Sequence, residues 1–260
     1  MASFLRYTSL ESKKIRKQKG EIMKKINSLT SYSVGFFALV SLCLVSGDLA
    51  AISPYVQVST FTGVFKKASS SGLPEDWSVK VWQGAPEIEI VKEHQGSVLK
   101  LRSHQSNVAL YKKVQVDLDL YPNLLWEWKV TELPVHGDAR DGELDDQAAG
   151  IYVMFPRFPG FFNTRIIGYV WESGAPQGTI LKSHNDSRIH YVVMRSGRKE
   201  TGEWIQEMRN VGQDYEQIFG EKAPAVGGVS LLIDSDHTQS SSESFFGEIY
   251  FSPKGMVKVG

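Results

Sequence analysis

Two stretches of the chain place acids at the edges of apolar runs. In "GELDDQAAGIYVMF" (142–155) Asp145 and Asp146 come just before such a run, and in "VSLLIDSDHTQSS" (229–242) Asp234, Asp236 and His237 come just after one. In an antiparallel pair, the start of one strand and the end of its neighbour share a rim. If the two runs pair, at least one of Asp145 and Asp146 meets Asp234 or Asp236 there. Carboxylates gathered in this way repel one another unless a cation, a guanidinium or a bound proton compensates. A hard cation such as Ca²⁺ takes oxygen ligands, which Asp146, Asp234 and Asp236 would supply. The spacing is not that of an EF-hand, because no third ligand and glycine follow Asp234-Ser235-Asp236. Arg165 and Arg188 are the guanidinium candidates. The plain alternative is that aspartates favour strand ends because they bond local amides.

A second feature is "IIGYVWES" (166–173), where Trp171 and Glu172 stand at the end of an apolar strand. An exposed indole there would stack on a sugar ring while neighbouring acids bond its hydroxyls; a buried one would simply fill the core. The candidate ligand-binding set is therefore Asp145, Asp146, Trp171, Glu172, Asp234, Asp236 and His237. Paired carboxylates also serve glycoside hydrolases and polysaccharide lyases. Asp145 and Asp146 point to opposite faces of a strand, so a catalytic pair would need one acid from each motif. The six histidines form no His-Glu-x-x-His motif and the chain has no Gly-x-Ser-x-Gly elbow, which argues against a zinc hydrolase and a serine hydrolase of that type.

The elements that would carry these residues are strands. "LLWEWKV" (124–130) sets Trp126, Trp128 and Val130 on one face and Glu127 and Lys129 on the other. "VQVDLDL" (114–120) alternates in the same way, with Leu118 and Leu120 inward, as does "SVLKLRS" (97–103). Further strands are expected at 87–92, 107–112, 148–155, 165–171, 188–195, 203–211, 226–234 and 245–251. One helix is expected over 212–222, capped by Asp214 and closed at Gly220. Many short strands and little helix predict an all-β, two-sheet antiparallel sandwich of jelly-roll type.

Charge and hydropathy divide the chain. Residues 1–30 carry eight Lys or Arg against two acids, whereas the chain after residue 51 carries 21 basic against 26 acidic groups. A mildly acidic body excludes a nucleic-acid footprint. The basic segment leads into an apolar stretch from Val34 to Val45 and then Ala50 and Ala51, the plan of a signal peptide, with Met1 or Met23 as the start. That stretch falls short of the ~20 residues of a membrane span, so a membrane role is confined to an uncleaved N-terminal segment. The only cysteine, Cys43, lies in it; a chain cleaved after it has no disulfide and no thiolate site. The expected organisation is an extension and signal peptide (1–51), a lead-in (52–76) and a β-sandwich domain (77–260), in a periplasmic or secreted bacterial protein.

The order of "WEWKV", "DDQAAGIYVMF", "IIGYVWES" and "IDSDHTQSSSESFFGEIYF" resembles the bacterial secreted family known as domain of unknown function three-zero-four-seven, from about Trp77 to Phe251. The resemblance implies a β-sandwich behind a signal sequence and implies no reaction. More loosely, "GSVLKLRSHQSNVALYKKVQVDLDLYPNLLWEWKV" is similar to the opening of jelly-roll carbohydrate-binding modules. The leading functional expectation is a module binding a glycan or another extracytoplasmic ligand. The alternatives are a carboxylate-dependent glycoside hydrolase or lyase, and an envelope structural protein without a small ligand.

Overall fold

The computed structural model describes residues 54–61, 76–93, 96–159 and 163–255, all within one compact unit, Ala51–Gly260. The expected signal segment, 1–51, lies outside the described residues. Among the described residues thirteen strands form two sheets. The smaller contains β3 (Glu87–Glu93), β4 (Gly96–His104), β6 (Asn123–Glu132), β11 (Ile205–Asn210) and β13 (Ser241–Ser252) in the order β11-β6-β13-β4-β3, with β1 (Val56–Ser59) on β13. The larger contains β2 (Ser78–Gln83), β5 (Asn107–Val116), β7 (Ala149–Phe155), β8 (Arg165–Glu172), β9 (Ile180–Lys182), β10 (Ile189–Ser196) and β12 (Val226–Asp234) in the order β2-β5-β12-β7-β8-β10-β9. The architecture is the expected β-sandwich. Because β1 pairs with β13, the sandwich takes in part of the segment set apart as a lead-in.

Alternation builds the core. Trp126 and Trp128 of β6 are buried, and their rings meet edge to face at 5.5 Å. Ile167, Tyr169 and Trp171 of β8 alternate into the same core, so Trp126 packs on Tyr169 at 5.4 Å and Trp128 on Trp171 at 5.9 Å.

Two local expectations are corrected, and one pair of strands departs from the antiparallel pattern of the sheets. Strand β5 ends at Val116, the next residues form a turn, and Leu120 is 61% exposed. The acid pair Asp117 and Asp119 explains this: Oδ1 of Asp117 accepts the amide of Asp119 and closes the turn. The helix α1 spans Val211–Phe219 and is capped by Asn210, whose side chain accepts Gln213 N; Asp214 is instead bonded to Arg209 and Tyr169. Its end at Gly220 agrees, with φ 71. Lastly, β8 and β10 run parallel. The segment between them, with β9 folded back on β10, is the long connection that parallel neighbours require.

Candidate functional site

The two acid-flanked strands are neighbours. β12 pairs antiparallel with β7, Leu232 lies opposite Gly150, and Asp234 N donates to Gln147 O at 3.0 Å. This register brings Asp146, Asp234, Asp236 and His237 together at one rim, with one ligating atom from each within 4.8 Å of the others. Asp146 is fully buried, and its carboxylate accepts the amides of His237 (3.1 Å) and Thr238 (2.7 Å). It thereby fixes the turn that carries the other ligating groups. Asp234, 5% exposed, accepts Asn107 Nδ2 at 2.7 Å and Asp236 N at 3.3 Å. Burial, and then the carboxylates of Asp146 and Asp236, push its pKa up to about 10.

Two buried oxygens at this rim have no hydrogen-bond donor among the described residues: Asp236 Oδ1 and Asn107 Oδ1. Nδ1 of His237 comes within 2.9 Å of Asp236 Oδ1, but off the line of a hydrogen bond. Such oxygens are costly unless something positive meets them. Three carboxylates beside an amide oxygen form a donor set for a hard cation. Arginines do not fill this role: Arg188 pairs with Asp186 at 2.6 Å and Arg165 with Glu221 at 2.8 Å.

Asp145 and Glu172 do not join this group. The Asp145 carboxylate faces away from the rim, toward Gln147 (2.6 Å), Asn185 (3.1 Å), Tyr191 (3.3 Å) and Ser183 (3.4 Å), and burial raises its pKa. Glu172 is fully buried beneath the 133–148 connection and accepts Ala139 N at 3.3 Å, with its other oxygen undonated. Burial lifts its pKa to about 8. Trp171 is also fully buried, and its Nε1 donates to Gly197 O at 3.2 Å. As a surface stacking platform it is therefore corrected: the alternation of β8 sends it inward.

The exposed indole is elsewhere. Trp82, near the end of β2, is 53% exposed, with Lys80 Nζ 4.8 Å from its ring centroid. In the registers of β2, β5 and β12, Gln83 lies opposite Asn107 and Asn107 opposite Asp234. Trp82 thus stands at the same rim as the acids, two strands from Asp234, on the order of 10 Å away. This strand is not among those expected; the alternation in "SVKVWQ" and the turn that follows it are the signals that could have found it, although at a sheet edge alternation does not tell which residues are covered. Every residue of β2 is exposed.

The family model of the protein of unknown function DUF3047 matches residues 75–250, and the chain belongs to that family. No curated protein matches it in sequence. Among solved structures it is similar to the family 11 carbohydrate-binding module of the cellulosomal cellulase Lic26A-Cel5E of Clostridium thermocellum, at 8% identity and TM-score 0.39, over 76% of this chain and 94% of that one. It is similar to the family 30 carbohydrate-binding module of Cel9D-Cel44B of the same organism at 10% identity and TM-score 0.44, over 78% and 99%. A third similar structure is the xyloglucanase domain of NopAA, a type three effector from Sinorhizobium fredii, at 10% identity and TM-score 0.40, over 68% and 93%.

Proposed function

We propose that this DUF3047 member is an exported glycan-binding β-sandwich whose rim is held by a Ca²⁺ ion on Asp146, Asp234 and Asp236. The observation that carries the binding reading is Trp82: a half-exposed indole standing at the rim with Asn107 and Asp234. A ring of that kind offers a flat apolar face to a sugar's CH groups, and exposed polar groups beside it meet its hydroxyls. The ion is supported by the undonated oxygens beside the three carboxylates. It would draw the turn 236–239 onto β7 and so fix the rim beside Trp82. A hydrolase built on Asp146 and Asp234 is disfavoured, because these carboxyls are 0% and 5% exposed and leave no room for a glycosidic oxygen.

Affinity electrophoresis against a panel of neutral and acidic polysaccharides tests the binding reading. At least one should retard the wild-type protein, and Trp82→Ala should abolish the retardation without lowering the melting temperature. Retardation by none of them, or retardation indifferent to Trp82, would defeat it. Export is tested separately by N-terminal sequencing of protein from the extracytoplasmic fraction, which should begin between about residue 48 and residue 53. A chain that keeps Met23 and sediments with membranes would point to an anchor.

A further inference from the structure

The face of the larger sheet that turns away from the core carries more than Trp82. The β2–β5 register sets Lys80 opposite Ala109 and Ser78 opposite Tyr111. Val108 and Leu110 alternate into the core between those partners, so Asn107, Ala109, Tyr111 and Lys113 share the outer side. The Tyr111 ring lies directly on Gly228 of β12, where an added Cβ would come within 2.5 Å of it. Glycine at 228 thus lets the ring lie flat against the sheet.

Along this face the order is Trp82, Lys80, Tyr111, Lys113. Trp82 and Tyr111 are roughly 12 Å apart along the strand direction, a span suited to a short oligosaccharide. Beyond Lys113 the track opens into a depression of about 470 Å³ lined by Lys113, Gln115, Pro156, Pro224 and Gly227. Lys80 and Lys113 are exposed, and neither pairs with a carboxylate among the described residues. Lys112, between them in sequence, instead points to the other side and is held by Asp76 and the carbonyl of Val58. On this side of the sheet Asp234 and Asp236 lie at the rim past the Trp82 end, and Asp145 and Glu172 are buried under the connections that cover β8 and β10.

We propose that this track selects an anionic glycan, with sugar rings on Trp82 and Tyr111 and their carboxylate or sulfate groups at Lys80 and Lys113. The inference rests on the glycan-binding reading and adds the ligand's charge. Two ammonium groups with no carboxylate partner among the described residues, that of Lys80 beside the Trp82 ring, are interleaved with two aromatic side chains and give an anionic ring chain both contacts in register, whereas a neutral chain would use only the rings.

The test compares retardation by polygalacturonate and chondroitin sulfate with retardation by neutral xyloglucan and mannan, for the wild type and for Trp82→Ala, Lys80→Gln and Lys113→Gln. The expected result is preference for an anionic polymer, binding that weakens with salt, a loss of about fivefold for each lysine change, and near-complete loss for Trp82→Ala. Lys182→Gln, on β9 at the far edge of the sheet, serves as the charge control and should bind as the wild type does. Trp82-dependent binding to a neutral polymer alone would overturn the anionic class and leave the glycan reading standing. No binding to any polymer would defeat both. Polyanion binding that Trp82→Ala leaves intact, or that Lys182→Gln weakens as much as the others do, would mean unspecific attraction and would also overturn the proposal.

Discussion

Asp145 and Asp146 are neighbours in sequence, yet they enter different chemistry. Asp146 turns to the rim, where it gathers two backbone amides and two further aspartates. Asp145 turns beneath a connection, where amide and hydroxyl groups surround it. Both carboxyls are buried, so burial alone does not separate them. The partners do. Around Asp145 every donor is neutral and every contact can be met with a proton on or near the carboxyl. At the rim, undonated oxygens lie beside three acid side chains, whose mutual repulsion a proton on Asp234 or an added cation would offset. Glu172 and Asp234 extend the contrast: burial raises both, but like charge adds to it chiefly at Asp234.

The two tryptophans mark the same division on a larger scale. Trp171 is core and Trp82 is surface. Trp171→Ala should destabilise by about 3–5 kcal/mol in a denaturant titration, and Trp82→Ala should stay within about 0.5 kcal/mol. Equal losses would mean that the assignment of the two faces is wrong.

The next effect concerns pH. Glu172 has a folded pKa of about 8 against an ordinary 4.5, so the folded state binds its proton more tightly than the unfolded state. Its contribution to stability is complete below the ordinary value and is lost as pH rises through about 8, by at most roughly 5 kcal/mol. The raised pKa of Asp234 acts in the same direction, with loss continuing toward about pH 10. Chemical denaturation in chelator from pH 5 to pH 8 should therefore show falling stability. Calcium should remove the share due to Asp234, and Glu172→Gln the share due to Glu172. If one treatment removed the whole slope, the two regions would not be independent sites.

Much of this division was legible in the sequence. The mirrored acids of 142–155 and 229–242 predict a shared rim because strand ends and starts must meet in an antiparallel pair, and β7 and β12 are such a pair. The inward place of Trp171 was also legible, since Ile167 and Tyr169 share its alternation just as Trp126 and Trp128 share theirs. Other features depend on tertiary pairing. The parallel β8–β10 pair reflects which strands dock together, to which local periodicity is blind. The exposure of β2 follows from its edge position, and the early end of β5 from one side chain capping a turn. For Asp145, alternation gave the opposite direction from Asp146 but not what waited there, because Ser183 and Asn185 arrive from the β9–β10 connection and Tyr191 from β10.

The smallest of these effects is also the most direct test. Binding of an ion to the folded state alone at a hundredfold excess over its Kd contributes about 2.7 kcal/mol, or roughly 5–10 °C in a domain of this size. Thermal melting of the chelated protein with added calcium should show that rise for the wild type, its reversal by chelator, and its absence in Asp234→Asn, while Asp145→Asn keeps it. A melting temperature unmoved by calcium in the wild type, or a rise that survives Asp234→Asn, would contradict the assignment of Ca²⁺ to this rim.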